Sequence, residues 1–297
     1  MKSEPSSALT GVVFHQSYSG ARQLKSGTPY MLRLFTTYIF PTVLFAVASV
    51  SHAADQPLQR AHAHNDYLHD RPLLDALHNG FCSVEADIFL IHGQLLVAHT
   101  RLEISPDRTL QNLYLDPLQK QIRNNRGRVH KNGPVFSLLI DIKNTGEKTW
   151  RELNKVLAGY ADIISRVEDG QFYPGPVNVV VSGDRAWNAI EVTSPRFAGV
   201  DGRVSDIGGD RALHLMPLIS DNWRLHFQWR GENEFPSKQR DKLHRLVRQT
   251  HEEGRRIRFW ASPDTRAAWK ELNAAGADLI NTDDLPGLSE FLRSNSE

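Results

Sequence analysis

The chain has 297 residues, 40% of them hydrophobic, with a net charge of +1 and a single cysteine, Cys82. That is enough apolar content for one large domain or two small ones, and the single cysteine excludes an internal disulfide. The charge is uneven: residues 1–53 carry +3, from Lys2, Arg22, Lys25 and Arg33 against Glu4, leaving −2 for the rest, which excludes a basic nucleic-acid footprint on the main body.

Residues 1–30 are polar and unpatterned. From Met31 the chain reads MLRLFTTYIFPTVLFAVASVSHAA. Arg33 supplies a positive n-region, Leu34 to Val50 an apolar h-region, and Ser51-His52-Ala53 a small-x-small cleavage site. The pattern predicts a signal peptide over 31–53 and an over-called N-terminal extension over 1–30. It predicts an exported protein, periplasmic or secreted, that begins near Ala54 and keeps no stable membrane span. The apolar run is barely long enough for a transmembrane anchor.

The main body, 54–297, alternates strands and helices. Leu58 to Ala61 reads as a short strand leading into His62-Ala63-His64-Asn65-Asp66. Arg71 to Gly80 reads as a helix with Pro72 near its start and Gly80 as its cap. Phe81 to Phe89 and Leu95 to His99 are extended segments joined at His92-Gly93. Val135 to Lys143 is a buried strand, Trp150 to Ser165 a helix, Val177 to Val181 a strand and Trp187 to Val192 a short helix. Phe197 to Val204 and Leu213 to Ser220 are strands, Ser237 to Glu253 a polar helix, and Arg256 to Ala261 a strand. Thr265 to Ala275 is a helix, Ala277 to Asn281 the last strand, and Leu285 to Arg293 the closing helix. Roughly eight strands alternating with helices predict an α/β fold, a single-domain TIM (β/α)8 barrel.

In such a barrel, functional side chains come from the C-terminal strand ends and the loops after them. Glu85 and Asp87 are spaced i, i+2, so a strand puts both on one face, about 7 Å apart along the chain. Val84, Ala86, Ile88 and Leu90 fill the alternate positions and form an apolar opposite face. Two acids on one face of an apolar strand repel each other and are costly to bury, and a hard cation between them removes both problems. Asp141 and Lys143 repeat the i, i+2 spacing on the next long strand, and His62, His64 and His99 fall at strand ends. Asp221, Trp223, Trp260, Asp264, Asn281 and Asp283 lie at or just beyond the later ones. Three carboxylates, two histidines and a lysine at one mouth suit metal-assisted cleavage of a phosphate ester. Cys82 reads as a small core residue rather than a nucleophile.

The order His, E-x-D, His, D-x-K on successive strands resembles the phosphatidylinositol-phospholipase-C-like phosphodiesterase superfamily, which holds the glycerophosphodiester phosphodiesterases and the sphingomyelinase D-type enzymes. The segments AHAHNDY, RPLLDALHNGFCSVEADIFL, VAH, RFWASPD and NTDDL are similar to the branch that includes the fungal altered-inheritance-of-mitochondria proteins. The resemblance runs from about His62 to Leu292. It implies a phosphoric diester hydrolase in which Glu85, Asp87 and Asp141 hold one Mg²⁺ or Ca²⁺, and His64 and His99 form an acid/base pair. It implies that Lys143 neutralises a phosphate oxygen and that Trp260 lines the pocket. His62 is the rival for the role given to His64. The substrate expected is a small-molecule or lipid phosphodiester. One departure stands out: the His-Arg-Gly opening of typical glycerophosphodiesterases is replaced by His64-Asn65-Asp66. It removes the ground for naming a glycerol phosphodiester.

Two other readings stay open at this point. His62-x-His64 at the end of a first strand also opens zinc hydrolases of the amidohydrolase or PHP type, whose zinc prefers nitrogen ligands from later strands. A non-catalytic binding barrel is the other.

Overall fold

The computed structural model describes residues 56–295, so the predicted extension over 1–30 and signal peptide over 31–53 lie outside the described residues. Eight parallel strands form the barrel: β1 (Leu58–Ala63), β2 (Phe81–Ile91), β4 (Phe136–Ile142), β7 (Val177–Gly183), β8 (Gly199–Gly202), β9 (Leu218–Asn222), β10 (Arg256–Trp260) and β11 (Ile280–Thr282). They pair in chain order, β1 sits between β2 and β11, and the ring closes where Arg258 bridges Leu279. The architecture is the TIM (β/α)8 barrel that the alternation predicts. Its strands are mostly buried, which explains their near-continuous apolar runs.

Side chains alternate across each strand. Phe136, Leu138, Ile140 and Ile142 of β4 pack outward into the large core shared with the helices. Leu139, Val180, Leu218 and Leu279 form a separate buried cluster inside the ring. Ser137 lies on one side of that layer and Asp141 on the other, so apolar residues divide the barrel interior into two polar ends.

The helices are α1 (Leu74–His78), α2 (Asp116–Asn124), α3 (Gly146–Ala158), α4 (Trp187–Glu191), α5 (Trp223–His226), α6 (Ser237–Glu252), α7 (Arg266–Ala275) and α8 (Leu285–Ser294). Local signals set several ends. Thr265 caps α7 by accepting from Ala268 N–H, Gly276 closes it at φ 83°, and Asp284 caps α8 through Gly287 N–H. Among the described residues no helix is long and apolar enough to cross a membrane.

Several elements depart from the predicted ones, α3 and β9 among them. Helix α3 runs over 146–158 rather than 150–165, because the Asp184 carboxylate accepts from Gly146 N–H at 2.7 Å and Ile164 leaves to bridge Val177. Strand β9 begins at Leu218, after Pro217, which has no N–H for a ladder. A hairpin of β5 (Arg166–Glu168) and β6 (Gln171–Tyr173), turned at Asp169-Gly170, has no predicted counterpart, and neither has α2. Trp223 is fully buried in an aromatic cluster with Phe227, Phe235 and Phe259 rather than at the mouth.

The loop after β1 is held by Asp66, which is fully buried. Its Oδ2 accepts from Leu73 N–H at 2.6 Å and from Tyr114 O–H at 2.9 Å, while its Oδ1 has no partner. Leu73 sits at φ 63°, a conformation an L-residue adopts only when its surroundings impose it. Burial pushes the Asp66 carboxyl up from 3.8 to about 7. The unfolded chain therefore ionises before the folded one, and this residue's contribution to stability is lost as pH rises between those values. Asp66→Asn keeps an acceptor for Leu73 and does not titrate. Relative to the wild type it should gain stability from pH about 4 to about 7, by up to about 4 kcal/mol, read from denaturant midpoints.

Candidate active site

Strand register places the acids. Asp87 pairs directly with Asp141 across β2 and β4, and Glu85 lies two residues earlier on the same face as Asp87. Like charges directly opposite on neighbouring strands are unfavourable. Lys143 lies between them, its Nζ 2.9 Å from Asp87 Oδ2 and 3.2 Å from Asp141 Oδ2. Glu85 is met by Arg258 Nη2 at 2.6 Å, and Arg258 Nε also donates to Asn281 at 2.8 Å. Glu85 is 6% exposed, Asp87 1% and Arg258 2%, so this is charge chemistry inside the barrel. Gly183 makes room for it: its φ is 72°, and a Cβ there would collide with Asp141 Oδ1.

The carboxylates respond differently to this setting. Burial works against the charge on Glu85, but the Arg258 guanidinium outweighs it and, with His62, holds the acid well below its usual range. Burial, and then the charge of Glu85, push Asp87 up against the pull of Lys143. Burial pushes Asp141 up to about 6 despite Lys143.

One oxygen from each acid can be chosen so that all three lie within 4.8 Å of one another, and this is the group among the described residues that could hold a metal ion. The fit is supported by Asp87. Its Oδ2 takes a hydrogen bond from Tyr67 at 2.6 Å as well as the Lys143 contact, whereas its Oδ1 is buried with no partner. A cation would satisfy that oxygen, and an all-carboxylate set suits a hard divalent ion rather than zinc.

The histidines come from loops held against the acids. β2 turns into β3 (Gln94–Val97) at His92-Gly93, where both residues have positive φ, as a two-residue hairpin of the I′ kind requires. Ala98 N–H donates to the Asp87 carbonyl at 3.2 Å, so the hairpin delivers His99 beside Asp87. Glu103 Oε2 then accepts from the backbone N–H groups of His99 and Thr100. His99 Nδ1 lies 2.9 Å from Tyr67 Oη and 3.2 Å from Asp87 Oδ2. Burial and Asp87 push the Tyr67 phenol far up, so Tyr67 stays a donor to Asp87.

His64 follows β1. Its Nδ1 lies 2.9 Å from Asp283 Oδ1 in the loop after β11. Burial alone would lower its pKa, but the Asp283 hydrogen bond and the nearby Glu85 charge turn the shift upward. His62 points into the barrel and is fully buried, 2.7 Å from Ser83 and 3.5 Å from Glu85. Burial, with the charge of Arg258, lowers its pKa to about 3 and keeps it neutral.

His64, Glu85, Asp87, His99, Asp141, Lys143 and Trp260 all line one cleft of about 370 Å³, while His62 lies behind it. Asn65, Ser182, Gly183, Arg203 and Arg258 also line the cleft. Arg258 lies 173 residues from Glu85, and no local signal tied them. Arg203 is anchored by Asp201 at 2.8 Å and by the Ser220 carbonyl. Asp221 and Asp264 are spent on structure: Asp221 accepts from Val204 N–H and contacts His226, and Asp264 accepts from Trp269 Nε1 and Asp283 N–H.

Breaking the internal ion pair should be costly. Arg258→Met leaves Glu85 buried without its guanidinium and should destabilise the fold by about 3–5 kcal/mol in denaturant unfolding. The double substitution with Glu85→Gln should recover much of that loss.

An AIM6-like phosphodiesterase domain model matches residues 52–198, and a glycerophosphoryl diester phosphodiesterase family model matches residues 256–286. The first span holds His64, Glu85, Asp87, His99, Asp141 and Lys143; the second holds Arg258, Trp260 and Asp283. The chain is 27% identical to an altered inheritance of mitochondria protein 6 homolog of Arthroderma benhamiae, over 75% of this chain and 81% of that protein. It is 32% identical to altered inheritance of mitochondria protein 6 of Eremothecium gossypii, over 79% of this chain and 69% of the relative. With the Saccharomyces cerevisiae protein of the same name it shares 25% identity over 75% of this chain and 68% of that one. On this likeness, and on a barrel whose matched segments converge on one cleft, the chain belongs to the altered inheritance of mitochondria protein 6 family and carries a phosphodiesterase-type domain.

Proposed function

We propose that the protein is a metal-dependent phosphoric diester hydrolase acting on a small-molecule or lipid phosphodiester. The reading is carried by the convergence of Glu85, Asp87 and Asp141 in a cleft that His64, His99 and Lys143 also line. The three carboxylates would hold one Mg²⁺ or Ca²⁺. When bound, the ion supplies positive charge to a phosphate oxygen as negative charge builds in the transition state.

The chain's own residues do the rest. Lys143 neutralises a second phosphate oxygen; burial opposes its charge, but Asp87 and Asp141 keep its pKa raised. His64 and His99 transfer protons. Each has Nδ1 turned to a carboxylate, which leaves Nε2 as the reacting nitrogen. The raised pKa of His64 suits it to give a proton to the leaving oxygen. His99 takes a proton from the attacking water as the bond between phosphorus and the leaving oxygen breaks. Trp260 packs along the substrate beside the phosphate. His62 lies behind the cleft, 3.5 Å from Glu85, and has no role in proton transfer in this reading. The Met31 to Ala53 pattern supports export, so the reaction would take place outside the cytoplasm.

Metal removal is the first test. Activity against a panel of phosphodiesters, followed by phosphorus NMR, should disappear with EDTA and return with Mg²⁺ or Ca²⁺; restoration by Zn²⁺ alone would refute the hard-cation assignment.

Substitutions separate binding from proton transfer. Glu85→Gln, Asp87→Asn and Asp141→Asn should weaken metal affinity in calorimetry, with partial rescue of activity by excess metal. His64→Ala and His99→Ala should keep metal affinity and lose about 10² to 10⁴ in rate. The double histidine variant should be scarcely worse than either single one, because residues acting in one path are not additive. Loss of metal binding in His64→Ala but not in Glu85→Gln would show that the carboxylates are not the ligand set.

A further inference from the structure

The barrel has a second polar end. Opposite the acidic cleft, the N-terminal ends of β7 to β10 and the β5–β6 hairpin enclose a cavity of about 430 Å³. Val167, Phe172, Val179, Leu213 and Pro217 give it an apolar wall. Phe172 and Leu213 are 45% and 49% exposed, an unusual state for large apolar side chains beside a cavity.

Three arginines line the cavity; Arg166 is ion-paired with Glu168 at 3.1 Å, which leaves the guanidiniums of Arg196 and Arg256. Arg196 is 3% exposed; its Nη2 lies 2.8 Å from His214 Nδ1 and 3.4 Å from the His214 carbonyl, and its Nε is buried with no partner. Arg256 Nη1 donates to Ser137 Oγ at 2.8 Å, and its Nη2 lies 3.5 Å from the Asp278 carbonyl. Neither has a carboxylate within ion-pair distance among the described residues. Arg256 is half-buried, and the arginines as buried as Arg196 are paired: Arg258 meets Glu85 at 2.6 Å and Arg255 meets Glu253 at 2.9 Å. Glu191 and Asp278 reach Arg196 and Arg256 only as more distant charges. His214 adds no negative charge, since its Nδ1 lone pair accepts from Arg196. Buried charges are ordinarily paired, because the desolvation of a lone one is not offset. Here Arg196 and Arg256 share one cavity with no carboxylate of its lining to pair them.

We infer that this cavity is a binding site for an amphiphilic oxyanion, with a carboxylate or phosphate monoester head between Arg196 and Arg256 and an apolar body along Phe172 and Leu213. The site is separate from the acidic cleft, because Leu139, Val180, Leu218 and Leu279 fill the barrel between them. The inference does not depend on the reaction proposed for that cleft.

Titration calorimetry of the full chain with octanoate and octyl phosphate tests it, with octanol and inorganic phosphate as controls. One of the two amphiphiles should bind saturably at one per chain, and the tighter one identifies the head group. Octanol and inorganic phosphate should each bind at least about tenfold more weakly, lacking the charge-assisted contact or the apolar one. Arg196→Gln should weaken binding by about tenfold or more, and so should Leu213→Glu, which sets a competing carboxylate at the half-exposed rim. Lys143→Gln, at the other end of the barrel, should leave affinity unchanged. No saturable binding of either amphiphile would overturn the inference, as would loss of binding in Lys143→Gln with retention in Leu213→Glu. If Arg196→Gln does not fold, Leu213→Glu decides alone, and unchanged affinity in that variant overturns the inference.

Discussion

The structure depends on keeping three carboxylates together inside a barrel of low polarity. Glu85, Asp87 and Asp141 could not share that space by packing alone, since each raises the energy of the others' charged form. Arg258 and Lys143 make it tolerable, the first from behind and the second from the mouth. The division matters. Arg258 is 2% exposed and binds Glu85 and Asn281, so it is part of the barrel wall. Lys143 is reachable, its side chain 25% exposed, and sits where a substrate anion would arrive. Three carboxylates are therefore met by one fixed cation and one available cation.

Much of this was legible in the chain. Strand alternation and the i, i+2 pairs Glu85/Asp87 and Asp141/Lys143 put the right side chains on the inward face, because a two-residue period needs no knowledge of tertiary structure. The His92-Gly93 turn also announced itself, and with it the delivery of His99. What stayed hidden comes from distant chain. Arg258 is read from sequence as one of several basic residues in a strand, and only barrel closure brings it onto Glu85. Asp283 meets His64 across the β1–β11 seam for the same reason. Tyr67 carries no sequence signal of its own, yet its hydroxyl lies within hydrogen-bond reach of Asn65, Asp87 and His99. The Asp169-Gly170 turn is a different case: its hairpin signal was local and present in the chain.

Helix α3 shows why boundaries are the weakest part of such a reading. Its buried residues Trp150, Leu153 and Leu157 lie on one face, as the apolar spacing requires. Its start is decided by Asp184, a residue of the loop after β7, and its end by the pairing of Ile164 with Val177. Both determinants are contacts between elements, so no window along the chain contains them.

The two cleft histidines hold a last distinction. Both turn Nδ1 toward a carboxylate, which orients the ring. The carboxylates differ in what else they do. Asp283 is 61% exposed at its side chain and serves His64 and Asn65, so the His64 ring is oriented independently of the acidic triad. Asp87 is 1% exposed and belongs to the triad itself. Its two oxygens divide the work: Oδ2 gathers Tyr67, Lys143 and His99, while Oδ1 is left without a partner. A cation held through Oδ1 would leave the three Oδ2 contacts standing. It would, however, draw charge away from the oxygen that orients His99. The orientation of His99 is thereby coupled to the state of the triad, and that of His64 is not. In the proposed mechanism one side chain, Asp87, would link metal binding to proton transfer, because the hairpin that carries His99 hangs its first hydrogen bond, from Ala98 N–H, on the carbonyl of that same residue.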